Sequence, residues 1–291
     1  MSARSSSAPS DVAIVTVSYN SSAQLEDFLS HATASVARAQ HVVVVDNASA
    51  DVAITQKLVD RFGARLIRLD TNVGYGQAAN AGSAALDHDV PLVLVCNPDA
   101  IVSAAAVTAL RDTLMGDATI GSVGPRIRDA DGVVYPSARA IPSIRTGAGH
   151  AIFARIWPGN PWTKRYYSDA YRSDVQTDAG WLSGACVMVR REVFDRLGGF
   201  SPAYFMYFED VDLGYRLGQA GLRNVFVPAA EVTHVGGVTT KASKPLMLRA
   251  HHDSAKRFLA TKYHGWIWAP VRLVLSVGLN VRLWYETRQL T

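Results

Sequence analysis

Cysteine is scarce: Cys96 and Cys186 are the only two in 291 residues, and they form neither a CxxC nor a CxxxC pair. That spacing argues against a paired redox or metal-binding motif. Both lie in apolar, strand-like runs, so they read as buried free thiols in a reducing, cytoplasmic setting. No basic run stands out either. The net charge is +4, compatible with an anionic substrate or a membrane surface but not with the concentrated footprint of a nucleic-acid binder. Residues 1–10 are rich in Ser and Ala and hold no apolar core, which reads as a disordered lead-in rather than a signal peptide or a spanning helix. Near the C-terminus, the longest uncharged run between Arg272 and Arg282 is nine residues, whereas a spanning helix needs about 20. No internal repeat is present. The place after the first strand reads Ser18-Tyr-Asn-Ser-Ser22, without the Gly-rich turn of a dinucleotide fingerprint and without the Lys or Arg expected of a nucleotidyltransferase.

What is present is an ordinary globular balance, 48% hydrophobic and 19% charged, on a chain long enough for one large α/β domain. Val12–Val17, His41–Asp46, Ala64–Leu69 and Pro91–Cys96 read as buried strands. Helical patterns follow Ser21 or Ser22, either of which could cap, and recur around 52–62, 75–87 and 103–115. This alternation predicts right-handed βαβ units and an open, mostly parallel sheet, which binds ligands at the carboxyl ends of its strands. The rhythm breaks after about residue 127. Asp129–Gly132 marks a turn between two strands. Residues 136–180, rich in Pro, Gly, Trp and Tyr, read as a long functional loop. Regular structure is expected again over 183–189, 208–220, 222–227 and 243–262.

The polar residues after each strand carry the chemistry. Asp46, Asn47 and Ser49 follow the second strand; an acid there can accept from a pyrimidine N–H or a ribose hydroxyl, and equally can cap the next helix. Asn72-Val-Gly74-Tyr-Gly76-Gln-Ala-Ala-Asn80 opens a helix with glycines, allowing close backbone approach to a phosphate or sugar, or making a plain αβ connection. Asn97-Pro-Asp99 follows the fourth strand, where a hard cation such as Mg²⁺ or Mn²⁺ could bridge a carboxylate and a diphosphate, or where an Asx turn would suffice. Glu209, Asp210 and Asp212 open a helix after the aromatic run Tyr204–Phe208. Three acids exceed what stabilising a helix N-terminus needs, and carboxylates crowded among aromatics acquire raised pKa values suited to a general base. His234, ending Glu231-Val-Thr-His, is a candidate second metal ligand beside Asp99, although a lone His is more often structural.

In order and spacing, these motifs resemble the inverting family 2 glycosyltransferases of GT-A fold, from about Val12 to about His234. The resemblance implies an 11–240 catalytic domain, with a nucleotide-sugar-binding half (11–127) and an acceptor and catalytic half (128–240), followed by C-terminal helices (241–291). It implies that Tyr19, Asn20, Asp46 and Asn47 hold base and ribose, and that Asn72, Gly74, Asn80 and Asn97 line the donor. It further implies that Asp99, with His234, holds Mg²⁺ or Mn²⁺. Asn97 stands where the motif's first acid is usual. Asp210 matches the general base, paired with Glu209, and Trp181, Ser183, Gly184 and Ala185 match the acceptor loop. Val134-Tyr-Pro-Ser-Ala-Arg139, Trp157-Pro-Gly-Asn-Pro-Trp162 and Tyr204–Leu213 resemble more closely the actinobacterial rhamnosyl-transferring members of cell-wall linker synthesis. That likeness implies dTDP-L-rhamnose as donor and a polyprenyl-diphosphate-linked GlcNAc as acceptor.

The tail then acquires a use. Trp266, Trp268, Trp284 and Tyr285 suit the headgroup zone and Arg272, Arg282 and Arg288 suit lipid phosphates, which predicts peripheral association with the cytoplasmic face of the inner membrane. Packing on the domain, or on a second copy in a homo-oligomer, is the plainer alternative. Other open readings are a family 2 transferase with another sugar and a non-catalytic nucleotide-sugar binder.

Overall fold

The computed structural model describes residues 8–144, 161, 169–236 and 244–288. The lead-in over 1–7 and the Trp157–Trp162 stretch, Pro161 apart, lie outside them. In chain order the described elements begin β1 (Val12–Ser18), α1 (Ser22–Ala34), β2 (Val42–Asp46), α2 (Val52–Phe62), β3 (Arg65–Arg68), α3 (Tyr75–Ala84) and β4 (Leu92–Cys96). Next come β5 (Ala100–Ile101), α4 (Ala104–Gly116), β6 (Ile120–Arg128), β7 (Val134–Tyr135), β8 (Ala138–Arg139), β9 (Thr177–Ala179), β10 (Trp181–Leu182) and β11 (Cys186–Arg190). The chain closes with α5 (Arg191–Arg196), α6 (Glu209–Gln219), β12 (Arg223–His234), α7 (Lys244–Lys262) and α8 (Ala269–Arg288).

The main sheet is ordered β3-β2-β1-β4-β11-β6-β12-β5. β1, β2, β3 and β4 are mutually parallel, β6 and β12 run the same way, and β11 is inserted antiparallel between β4 and β6. The sheet is therefore mostly parallel, as expected. The order reverses at β1, which has β2 on one side and β4 on the other, and this crevice is where open α/β sheets bind ligands. Alternation sorts the core. Val12, Ile14, Val42 and Val44 face α1, α2 and α4, while Ala13, Val15, Val43 and Val45 face α3, α5 and α6. β1 and β2 are buried at every position, because helices cover both faces.

Several boundaries differ from the sequence reading. The 183–189 run becomes a strand only at Cys186, and Ser183–Ala185 form a turn instead. His41 lies in a short 3-10 turn before β2. α3 stops at Ala84. Ser21 occupies the N-cap of α1, but its hydroxyl bonds Ser18 Oγ (3.0 Å) rather than a helix N–H. The 222–227 run and His234 belong to one strand, β12, with an irregularity between Val227 and Glu231. Cys96 and Cys186 are cross-strand partners with sulfurs 3.4 Å apart, buried and free, as expected.

The C-terminal helices divide. α7 docks on the domain through His252, Ser254, Ala255 and the fully buried Phe258, a ring whose burial stabilises by about 2–3 kcal/mol. α8 packs along α7 and leaves Leu273, Val274, Val277, Val281 and Trp284 exposed. No described helix is long and apolar enough to cross a membrane.

Candidate active site

Two carboxylates, Asp99 and Asp210, 111 positions apart in the chain, are brought near one another around the carboxyl end of β4. Asp99 follows β4, and β5 begins immediately after it. β5 pairs antiparallel with the end of β12, aligning Ala100 with His234. That register brings His234 Nε2 to 3.0 Å from Asp99 Oδ1, while Asn97 Nδ2 lies 3.0 Å from the same nitrogen. Asp99 Oδ2 accepts from Gly236 N–H (3.1 Å). Burial raises the Asp99 carboxyl, but the hydrogen bond and charge of His234 outweigh it, and the group lies below the usual carboxylate range.

The second anchor is the start of α6. Tyr207 and Phe208 both have positive φ (65° and 66°). Two such residues in series cost roughly 1–2 kcal/mol each, so neighbours must impose the turn. α7 supplies them: Ser254 Oγ donates to the Met206 carbonyl (3.0 Å), and Phe208 packs against His251 and Phe258. Gly74 meets the same loop, with φ 86°, and an added Cβ would lie 2.2 Å from the Phe205 carbonyl oxygen, so only glycine fits. The turn aims three acids differently. Asp212 bonds Arg216 (2.6 Å) and is structural. Asp210 accepts from Gly184 N–H (2.9 Å, Oδ2) and Val211 N–H (2.8 Å, Oδ1). Glu209 is buried, with Oε2 unpartnered.

Burial pushes the Glu209 carboxyl up to about 8, helped by the Asp210 charge. Burial also raises Asp210, opposed by the N–H groups it accepts from and by Arg139. Near neutrality Glu209 is therefore protonated, so Asp210 does not face a second negative charge.

A continuous path joins the two anchors. Gly184 N–H binds Asp210, and the Gly184 carbonyl accepts from Tyr75 OH (2.7 Å). The next residue, Ala185, accepts from Asn97 N–H (2.9 Å), and Asn97 reaches His234. Ser183, Gly184 and Ala185 thus sit between Asp210 and Asp99, with Ser183 N–H donating to the Ser137 carbonyl (2.8 Å). Trp181 supports from behind: its indole N–H donates to the Ala140 carbonyl (3.2 Å) and its ring packs with Tyr204, Val211 and Phe258.

The sequence-predicted donor residues fall into two groups. Asp46 ends β2 with Oδ1 accepting from Ser49 N–H (3.0 Å) and Oδ2 buried without a hydrogen-bond partner. Tyr19 is 43% exposed at the same rim. The amides are engaged within the protein. Asn20 accepts from Ala50 N–H (2.8 Å), and Asn47 bonds Asn72 (2.9 Å) and Val73 (3.0 Å). Asn72 also accepts from Gly74 N–H (3.0 Å). Asn80 is not brought to the rim: both ends of its amide bind Phe200 backbone (2.8 Å each). Sequence reasoning gave no role to Tyr75, flanked by the glycines of its helix start, nor to Tyr135 and Arg139.

Asp99 and His234 suit a divalent cation. An imidazole nitrogen and a carboxylate oxygen converge at 3.0 Å, offering one N and one O ligand and leaving coordination positions to phosphate and water oxygens.

A GT-A-type sheet with paired acids at its reversal point defines a nucleotide-sugar transferase scaffold, and the chain belongs to the family described as "Glycosyltransferase like family 2", which it matches over residues 9–251. It is 41% identical over 279 residues to the N-acetylglucosaminyl-diphospho-decaprenol L-rhamnosyltransferase of Mycobacterium tuberculosis H37Rv, covering 92% of this chain and 90% of that protein. Rhamnosyltransferase WbbL of Escherichia coli K12 is 39% identical over 90 residues, 31% of this chain and 33% of that one. Among solved structures, the mannosyltransferase PcManGT from Pyrobaculum calidifontis, in complex with GDP-Man and Mn²⁺, superposes with a TM-score of 0.60 at 16% identity. The match covers 94% of this chain and 70% of that one.

Proposed function

We propose that this chain is an inverting, divalent-metal-dependent glycosyltransferase that moves L-rhamnose from dTDP-L-rhamnose to a polyprenyl-diphosphate-linked N-acetylglucosamine in cell-wall linker synthesis. The observation that carries it is the hydrogen-bonded path from Asp210 through Gly184 and Ala185 to Asn97, His234 and Asp99. Identity of 41% over nearly the whole of a rhamnosyltransferase supports the choice of substrates.

In this reading the half over 11–127 holds the donor, and 128–240 holds the acceptor and the base. Asp46 Oδ2 accepts from the nucleoside, with Tyr19 beside it. Asn20, Asn47, Asn72 and Gly74 shape the loops around the base, ribose and sugar, and Asn80 braces the Phe200 turn behind them. Asp99 and His234 would hold the cation, Mg²⁺ or Mn²⁺, which would offset the charge developing on the leaving diphosphate, with Asn97 beside them on the donor side. Asp210 takes the proton of the acceptor hydroxyl as that oxygen attacks the anomeric carbon opposite the leaving group, so one displacement inverts the centre. The N–H groups of Gly184 and Val211 fix the carboxylate, and protonated Glu209 spares it a second negative neighbour.

The donor is tested by thermal shift with Mn²⁺, comparing dTDP-rhamnose with UDP- and GDP-sugars. A ligand at 100 times its Kd stabilises by about 2.7 kcal/mol, and only dTDP-rhamnose should do so. A larger shift with another nucleotide sugar reassigns the donor.

The apolar stripe of α8 and the exposed Trp266, Ile267 and Trp268 before it fit a bilayer surface, where the rings sit at headgroup level. The side chain of Tyr285 lies outside the described residues, and Arg272 is engaged by the Tyr263 and Gly265 carbonyls, leaving it less suited to lipid phosphate than the sequence implies. A chain ending at residue 263 should lose binding to anionic liposomes that the full chain retains. Equal binding by both chains, or loss of a dimer alone, would assign the stripe to protein contact.

A further inference from the structure

One cation beside the 180–184 segment has no task in the reaction described above. Arg139 ends β8 and is exposed. Its Nε–H donates to the Pro136 carbonyl (3.1 Å), which pins the stem. Its two Nη groups have no partner among the described residues, whereas Arg126, Arg128 and Arg223 nearby in the fold all reach carboxylates. Position rules out a stray surface charge. Arg139 is the cross-strand partner of Trp181, and its carbonyl accepts from Gly180 N–H (2.8 Å). Two residues earlier, Ser137 binds Ser183 N–H (2.8 Å). The stretch 135–139 is thus sewn along the 180–184 segment that ends on Asp210. The Arg139 charge also opposes the upward shifts of Asp210 and Tyr135. Tyr135 is 44% exposed.

The donor diphosphate belongs at the Asp99 end of the Gly184–Ala185 bridge. That leaves the Asp210 end, along which the 135–139 stretch is paired, for the acceptor. A guanidinium with two free Nη groups presents a planar fork that matches two phosphate oxygens. We propose that Arg139, with the Tyr135 hydroxyl, forms an acceptor phosphate subsite that grips the diphosphate linking the acceptor sugar to its lipid. This rests on the proposed reading that the acceptor is diphosphate-linked. The subsite would select lipid-diphosphate sugars over neutral glycans by charge, one sugar ring from the reacting hydroxyl.

The test compares two acceptors for the full-length wild type and for Arg139→Gln and Arg139→Lys: a short-chain alkyl-diphosphate-linked GlcNAc and a neutral alkyl GlcNAc glycoside. Rates are taken on the pH plateau, so that any change in Asp210 ionisation drops out. The wild-type preference for the diphosphate acceptor, as a ratio of kcat/KM values, should fall about 10–100-fold in Arg139→Gln, with partial recovery in Arg139→Lys and an unchanged KM for dTDP-rhamnose. An unchanged ratio, or equal losses on both acceptors, would overturn the subsite. A raised donor KM would assign Arg139 to the donor's phosphates instead. If the wild type uses only the neutral acceptor, the acceptor reading itself fails, and the subsite with it.

Discussion

Asp210→Asn should lower kcat by about 10²–10⁴-fold, the usual worth of a general base, with donor affinity unchanged. The side chain stands between two backbone N–H donors, those of Gly184 and Val211. Asn has the same shape and keeps one acceptor oxygen, so the loop holds while the proton acceptor is lost. Donor titration by calorimetry beside single-turnover transfer separates the two effects, because a group used only in the transition state lowers kcat without weakening ground-state binding. The wild type should carry a pH signature. A base must be ionised to act, so kcat/KM rises with pH through the Asp210 titration, which burial moves above the ordinary aspartate range. Above about pH 8, Glu209 also ionises and places a second negative charge beside the base. Near-normal turnover in Asp210→Asn would remove it from the mechanism.

The second large effect is expected at Asp99. Asp99→Ala removes the only carboxylate within 4 Å of His234 among the described residues. Turnover should fall about 10²–10⁴-fold, since charge stabilisation by a bound cation is worth several kcal/mol and each 1.36 kcal/mol is tenfold in rate. Mn²⁺ affinity measured by titration should fall in parallel. Chelation of the wild type should reproduce the loss, and Mg²⁺ or Mn²⁺ should restore it. His234→Ala should behave likewise but more mildly, because the carboxylate remains. Full turnover in EDTA, or wild-type Mn²⁺ affinity in Asp99→Ala, would assign the Asp99–His234 pair to loop closure. In that case its contact would do no more than the Gly236 N–H bond already does.

Much of this was legible in the chain. The β-branched runs Val12–Val17 and Val42–Asp46 are strands because branched side chains suit a sheet covered on both faces, and their alternation with helical stretches set the parallel order. The acids after β2 and β4 could be picked out because open sheets collect ligands at strand ends. Several features were not legible. The three acids after Phe208 look equivalent in sequence, yet Asp212 pairs with Arg216, Glu209 is buried and Asp210 faces Gly184. Asn47 and Asn80 look like ligand contacts, yet the protein's own backbone and Asn72 take up their hydrogen bonds. The start of regular structure at Ser183 is expected three residues too early, because the apolar run that follows masks the turn at Ser183–Ala185.

Local pattern alone determined the elements, the parallel sheet and the residues at its rim, since side-chain period and capping act within a few positions. Tertiary structure alone decided which of those residues meet. His234 lies beside Asp99 only because β5 pairs with the end of β12. Asp210 reaches Gly184 only because α7 holds Tyr207 and Phe208 in a left-handed turn. Both contacts depend on the packing of distant segments, whose closure no local preference encodes.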